Sequence, residues 1–332
     1  MLVNEFFNTN PENLKFVKDL VDDAYSIEDL DNTFSLFNSL KNIIYLIYTN
    51  KIRSVVIYDM IQDKITFEIK NAHKNQEIIN IRHFLDKANN RDLILSISNN
   101  NVKIWDIDNF ECILNLENKK NFGKYYLSCF LSNNKESYII TNNFISLQTS
   151  SFKTFDFKGN FIKKMNCDVY KIYFLDSFYD EENGKNYIIT GNSDYAISYD
   201  FSENKEYHKY FNIKFANQDC RSIVLYRTEG ILKLIRANDN GAITFWNFHS
   251  GEILSNSPYI YSRIYGLCLW NKDYLFAGNS KEKIFLLKVK NNEVDMRKSQ
   301  EKVLTIKKIN HPKLGNILIS QSLKGNIKLW SL

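Results

Sequence analysis

Proline and glycine are scarce in this chain of 332 residues, at 3 and 11 respectively. So few prolines exclude a Pro-rich linker, and so few glycines leave the tight turns to other residues that tolerate left-handed backbone, chiefly Asn. Cysteine is sparse too. Cys112, Cys129, Cys167, Cys220 and Cys268 lie far apart, form no C-x-x-C pair and are odd in number. That argues against a zinc knuckle or a disulfide framework, and for buried free thiols in a reducing compartment. No apolar run, Ile43–Tyr48 included, is long enough to span a bilayer. No charged-then-apolar leader opens the chain, and no N-x-S/T sequon occurs despite abundant Asn. The expected location is the cytoplasm, with the nucleus as the alternative, and no membrane insertion is expected.

Converging chemistry is missing as well. The sequence holds no H-E-x-x-H, G-x-S-x-G, G-x-x-x-x-G-K-[ST] or G-x-G-x-x-G. Its five histidines, His73, His83, His208, His249 and His311, have no metal partner at short spacing. The acidic pairs at Asp22-Asp23 and Asp180-Glu181-Glu182 fall in polar loops, where solvation leaves carboxylates ordinary. No catalytic residue, metal or cofactor is expected, and the chain reads as a non-enzyme. The net charge of +5 is spread along the chain. Its densest basic stretch, Lys302 to Lys313, alternates with Val303, Leu304, Ile306 and Ile309, as the wet side of a strand would. Nucleic acid is therefore not the expected partner.

What the sequence does have is a repeat. Segments ending in an aromatic-plus-polar pair recur, such as Val102-Lys-Ile-Trp105-Asp106, Ala196-Ile-Ser-Tyr199-Asp200 and Ile243-Thr-Phe-Trp246-Asn247. The anchors at 58, 105, 155, 199, 246, 287 and 330 are spaced 41 to 50 residues apart. Each is preceded by two further Ile/Tyr/Phe/Val-rich runs bounded by Asn, Asp, Gly and Ser, and in several units a weaker fourth follows, at Ile65–Lys70, Cys112–Leu116, Phe161–Met165 and Ile253–Ser255. Seven such units predict an all-β chain, a seven-bladed β-propeller of four-stranded antiparallel blades. The reading is of one domain over 1–332. Unit seven lacks a fourth strand after Trp330, so residues 13–21 are expected to close the last blade, with 1–12 as an N-terminal extension. Asn10-Pro11-Glu12 is also a good helix start, with Leu14, Val17 and Val21 at helical spacing, but a strand is favoured because it would pair an otherwise bare edge.

Ser320-Gln-Ser-Leu-Lys-Gly-Asn-Ile-Lys-Leu-Trp330-Ser331 resembles the WD-repeat signature S-x-S-x-D-G-x-I-x-L-W-D, and Asn238–Asn247 and Ser96–Asp106 are similar to it. The resemblance spans essentially the whole chain, although the family's Gly-His is reduced to Ala72-His73. It implies a hydrogen-bonded structural set of His73, Ser98 and Trp105 in unit two, and structural roles for Trp246 and Trp330. Those three tryptophans are expected to be buried, and Trp270, ending a first strand, to be more exposed. Residues 1–9 are expected to be dispensable.

WD-repeat propellers commonly serve as platforms, so the resemblance implies a scaffold for other proteins, acting as a monomer or as a subunit of a larger complex. An RNA-associated propeller and, further off, a propeller enzyme are the alternatives. The paired-arginine F-R-R-G motif of lipid-binding propellers is absent. The expected binding face is formed by the turns entering each first strand and those joining second to third strands. Tyr125, Tyr170, Arg221, Tyr261 and Arg263 lie on the entering turns and are the candidate protein-binding residues.

Overall fold

The computed structural model describes the chain apart from residues 1, 4–6, 26–33, 88, 119–123, 133–135, 147–148, 168–171, 213–218, 258–259, 261, 282, 290–292 and 299–301. Its strands form seven sheets, the blades of a seven-bladed β-propeller. Blade one comprises Phe34–Asn38, Ile44–Thr49, Val55–Asp59 and Lys64–Ile69, and blade two Asn80–Asp86, Arg91–Ile97, Asn101–Asp106 and Cys112–Glu117. Blade three is Lys124–Ser132, Ser137–Ser146, Thr149–Phe155 and Phe161–Cys167, and blade four Phe174–Asp180, Lys185–Gly191, Tyr195–Asp200 and Lys205–Phe211. Blade five is Cys220–Thr228, Ile231–Asn238, Ile243–Asn247 and Ile253–Asn256, and blade six Ile264–Asn271, Tyr274–Asn279, Lys283–Lys288 and Glu293–Lys298. Blade seven takes Val303–His311, Gly315–Ser322 and Ile327–Ser331 from the end of the chain and Lys15–Val21 from its beginning.

Burial explains the strand composition. All six residues of Ile44–Thr49 are buried, because a second strand is covered on both faces, and such strands read as continuous Ile/Tyr/Leu runs. The fourth strand Lys64–Ile69 is largely exposed, which accounts for its weaker pattern. The repeated aromatic-plus-polar pairs have a specific cause. The Asp or Asn that ends a third strand accepts backbone N–H groups from the turn that follows: Asp59 from Ile61 and Gln62, Asp156 from Lys158 and Asn160, Asp200 from Ser202 and Glu203, and Asn247 from His249 and Ser250. Each side chain closes the hairpin to the outer strand.

Contacts group the chain into two compact units, residues 32–190 with 198–207, and residues 1–31 with 191–197 and 208–332. In the first, Phe37, Tyr45, Ile47 and Ile57 of blade one pack on Ile81, Ile94 and Trp105 of blade two. In the second, Ile235, Ile243 and Phe245 of blade five pack on Ile264, Leu267 and Leu269 of blade six, and Phe276 and Leu286 of blade six on Val303, Ile306 and Leu318 of blade seven.

The closing strand is present: Phe16 pairs with Trp330 and Asp19 with Lys328. The competing helical signal at Asn10-Pro11 becomes a single 3-10 turn, Pro11–Asn13, capped by Asn10, whose side chain accepts the Glu12 N–H at 3.0 Å. Blade five departs from the four-stranded expectation, since Leu2–Val3 pairs in parallel with Leu225–Tyr226.

Two expectations fail together. Trp270 is fully buried, and the segment before the closing strand buries it. The Phe7 ring meets Trp270 edge-on at 4.8 Å, the indole N–H donates to the Thr9 carbonyl at 2.9 Å, and Phe7 N–H donates to the Trp270 carbonyl at 3.1 Å. Asn271 and Asn316 side chains bond to Phe7 and Thr9, and the Lys308 ammonium lies 4.5 Å from the Phe7 ring centre. Phe7 and Thr9 are thus built into the core of blades six and seven, against the expectation that residues 1–9 are dispensable.

Candidate protein-interaction face

Within each unit, the entering turns and the turns between second and third strands are held by side chains inside the blades. Blade two shows how. His73, on the entering turn, sits 2.7 Å from Ser96 Oγ through Nε2 and 2.7 Å from Asn101 Oδ1 through Nδ1, and Trp105 Nε1 donates to Ser96 Oγ at 2.8 Å. One arrangement satisfies every group: the indole donates to Ser96, the Ser96 hydroxyl to His73 Nε2, and His73 Nδ1–H to Asn101. Burial pushes the His73 imidazole down to about 4, against the opposing pull of the Asn101 acceptor, so it is neutral near pH 7.

The implied set is therefore amended. Ser96 carries the His–Trp link, while Ser98 lies beside it, 3.1 Å from His73 Nδ1 and 2.8 Å from Gln76 Oε1. Asn101 supplies the acceptor for the other ring nitrogen of His73. The register explains the choice of serine, because Trp105 pairs with Ile94 and Ser96 with Lys103, two residues along. Blade seven repeats the geometry, with Trp330 Nε1 donating to Ser320 Oγ at 2.8 Å. Its turn needs Gly325, at φ +93°, because a Cβ there would lie 1.8 Å from the Ala24 carbonyl oxygen. In blade five the corresponding position is Arg236, buried, with a guanidinium nitrogen donating to the Asp194 carbonyl at 2.8 Å. Trp246 instead packs edge-on to Tyr210, whose hydroxyl donates to the Phe248 carbonyl at 2.6 Å.

Two of the candidate binding residues converge. Arg221, near the start of blade five, donates from Nε to Asp239 Oδ1 at 3.0 Å and from Nη2 to Asp219 Oδ2 at 2.8 Å. Arg263, at the entrance to blade six, reaches the other Asp239 oxygen at 3.0 Å. Arg221 is buried, with its guanidinium 5.6 Å from the Tyr265 ring centre, while the Arg263 side chain is 44% exposed. Burial raises the Asp239 carboxyl despite its two arginines. The result is a fixed, charge-balanced set with one arginine presented outward. Asp219 and Asp239 escaped the sequence reading, since acids in turns are common and only the fold joins them.

Tyr125 is buried, its phenol pushed up to about 12 by burial, and its backbone N–H donates to Asn99. It holds a turn and is not itself presented. Tyr170 and Tyr261 lie outside the described residues. Trp105, Trp246 and Trp330 are buried, as expected. Among the described residues, no three His, Cys, Asp or Glu side chains gather as metal ligands would, and no helix is long and apolar enough to cross a membrane. Compared with models of known protein families the chain matches none, and among curated proteins no match is found.

Proposed function

We propose that this chain is a non-enzymatic scaffold of the WD-repeat type that binds other proteins through the turn-bearing edges of its blades, in the cytoplasm or nucleus. The observation that carries the reading is the Arg221–Asp239–Arg263 set. A blade interior spends a buried arginine and two carboxylates on fixing one outward guanidinium at an entering turn. Arginine so fixed loses little freedom on binding, and it is among the residue types that dominate protein interfaces. The His73–Ser96–Trp105 bonds in blade two and the Ser320–Trp330 bond in blade seven likewise brace their own blades, and they support the WD-repeat comparison.

The test is affinity capture of the tagged chain from its native source, with mass spectrometry, beside Arg263→Glu. The expected result is a stoichiometric protein partner, insensitive to ribonuclease, that the variant loses while still unfolding cooperatively, at a Tm lowered by the lost Arg263–Asp239 pair. A partner released by ribonuclease, or one retained equally by the variant, would count against the reading.

A further inference from the structure

Resting on that scaffold reading, we propose that loops 50–54 and 70–77, on the turn-bearing edge of blades one and two, dock an acidic protein segment bearing a branched apolar side chain. Ile52 is 70% exposed, more than any other large apolar side chain among the described residues. Lys51 and Arg53 flank it, and Lys70 and Lys74 stand exposed on the facing loop. Against these four cations the two loops carry one acid, Glu77. An apolar centre with a positive rim is the complement of an apolar side chain flanked by carboxylates.

The surface is also built rather than loose. Asn50 Oδ1 accepts the Ser54 N–H at 2.9 Å, and the Arg53 N–H donates to the Asn50 carbonyl at 2.9 Å. The Arg53 guanidinium donates to the Asn75 carbonyl, tying one loop to the other. Arg53 and Lys74 are held at φ of 67° and 51°, a left-handed backbone that such long side chains seldom adopt, and Asn75, of a type that tolerates it, at 63°. Fixed loops lose little entropy on binding. Single-stranded nucleic acid would call for aromatic faces on which bases stack. The two loops contain no Phe, Tyr or Trp, so a protein segment fits better.

The test is fluorescence anisotropy with a short labelled peptide alternating glutamate and leucine, alongside polyglutamate and a labelled poly-uridine strand. The Glu/Leu peptide should bind saturably, more tightly than either control, and weaken with salt. Lys51→Glu or Lys74→Glu should each reduce affinity about fivefold, as loss and reversal of an exposed pair would. Ile52→Ser should weaken the Glu/Leu peptide and leave polyglutamate unchanged. All three positions are exposed, so Tm should not move. Absence of saturable binding, undiminished binding by all three variants, or tighter binding of poly-uridine would overturn the proposal. If the peptide fails while Arg263→Glu still loses its native partner, this docking site falls and the scaffold reading stands.

Discussion

Trp105 and Trp270 are both buried, yet they are satisfied in opposite ways. Trp105, on a third strand, donates to Ser96 nine residues earlier, inside its own blade. Trp270, on a first strand, donates to Thr9, 261 residues away, and is covered by Phe7. The first arrangement is written in the repeat. The second depends on a segment outside every repeat, so its stability is shared between distant parts of the chain.

That difference can be tested from its largest consequence downward. Trp105→Ala and Trp270→Ala should each cost roughly 3–5 kcal/mol in urea unfolding, as other large core truncations do. They should part company when combined with deletion of residues 1–9. The deletion and Trp270→Ala share partners, so together they should cost clearly less than their sum, whereas with Trp105→Ala the costs should add. Additivity in both cases would erase the distinction.

Alone, the deletion should cost about 3 kcal/mol, because it removes the Phe7 ring and strands the Trp270 N–H. Blade two should respond to acid instead. Unfolded His73 takes a proton near its ordinary 6.5 and the folded residue only at about 4, so between these values the unfolded chain holds more protons. Its contribution is complete above pH 6.5 and is lost as pH falls towards 4, by roughly 3 kcal/mol. His73→Gln should flatten that part of the pH profile, while the deletion should leave it in place. The smallest effect belongs to the half-exposed pair of Lys288 and Glu12, which helps to seat the extension at 2.7 Å. Lys288→Ala should cost under about 1 kcal/mol, and less still at high salt.

The same comparison explains what could be read in advance. The blades were legible because most repeat the same physical requirements: in blades one to five an Asp or Asn closes the outer hairpin, and second strands such as Ile44–Thr49 are buried on both faces. The closing strand was legible because an edge without a partner is costly. Trp270 was misplaced because no local pattern announces a cover from the far end of the chain. Ser96 was missed in favour of Ser98 because spacing identifies a serine pair but not which member the strand register brings within reach of the indole N–H. At the turn-bearing edge, Arg221 and Arg263 were visible as residue types, but Asp239, which joins them, becomes distinctive only once blades five and six are side by side.

Hydrogen exchange on the free chain and on its native complex tests most directly whether the turns are where this protein binds. The account predicts new protection at 50–54, 70–77, 239–242 and 262–263, with the exposed fourth strands Lys64–Ile69 and Cys112–Glu117 exchanging as before. Protection confined to those outer strands, with the turns unchanged, would contradict it.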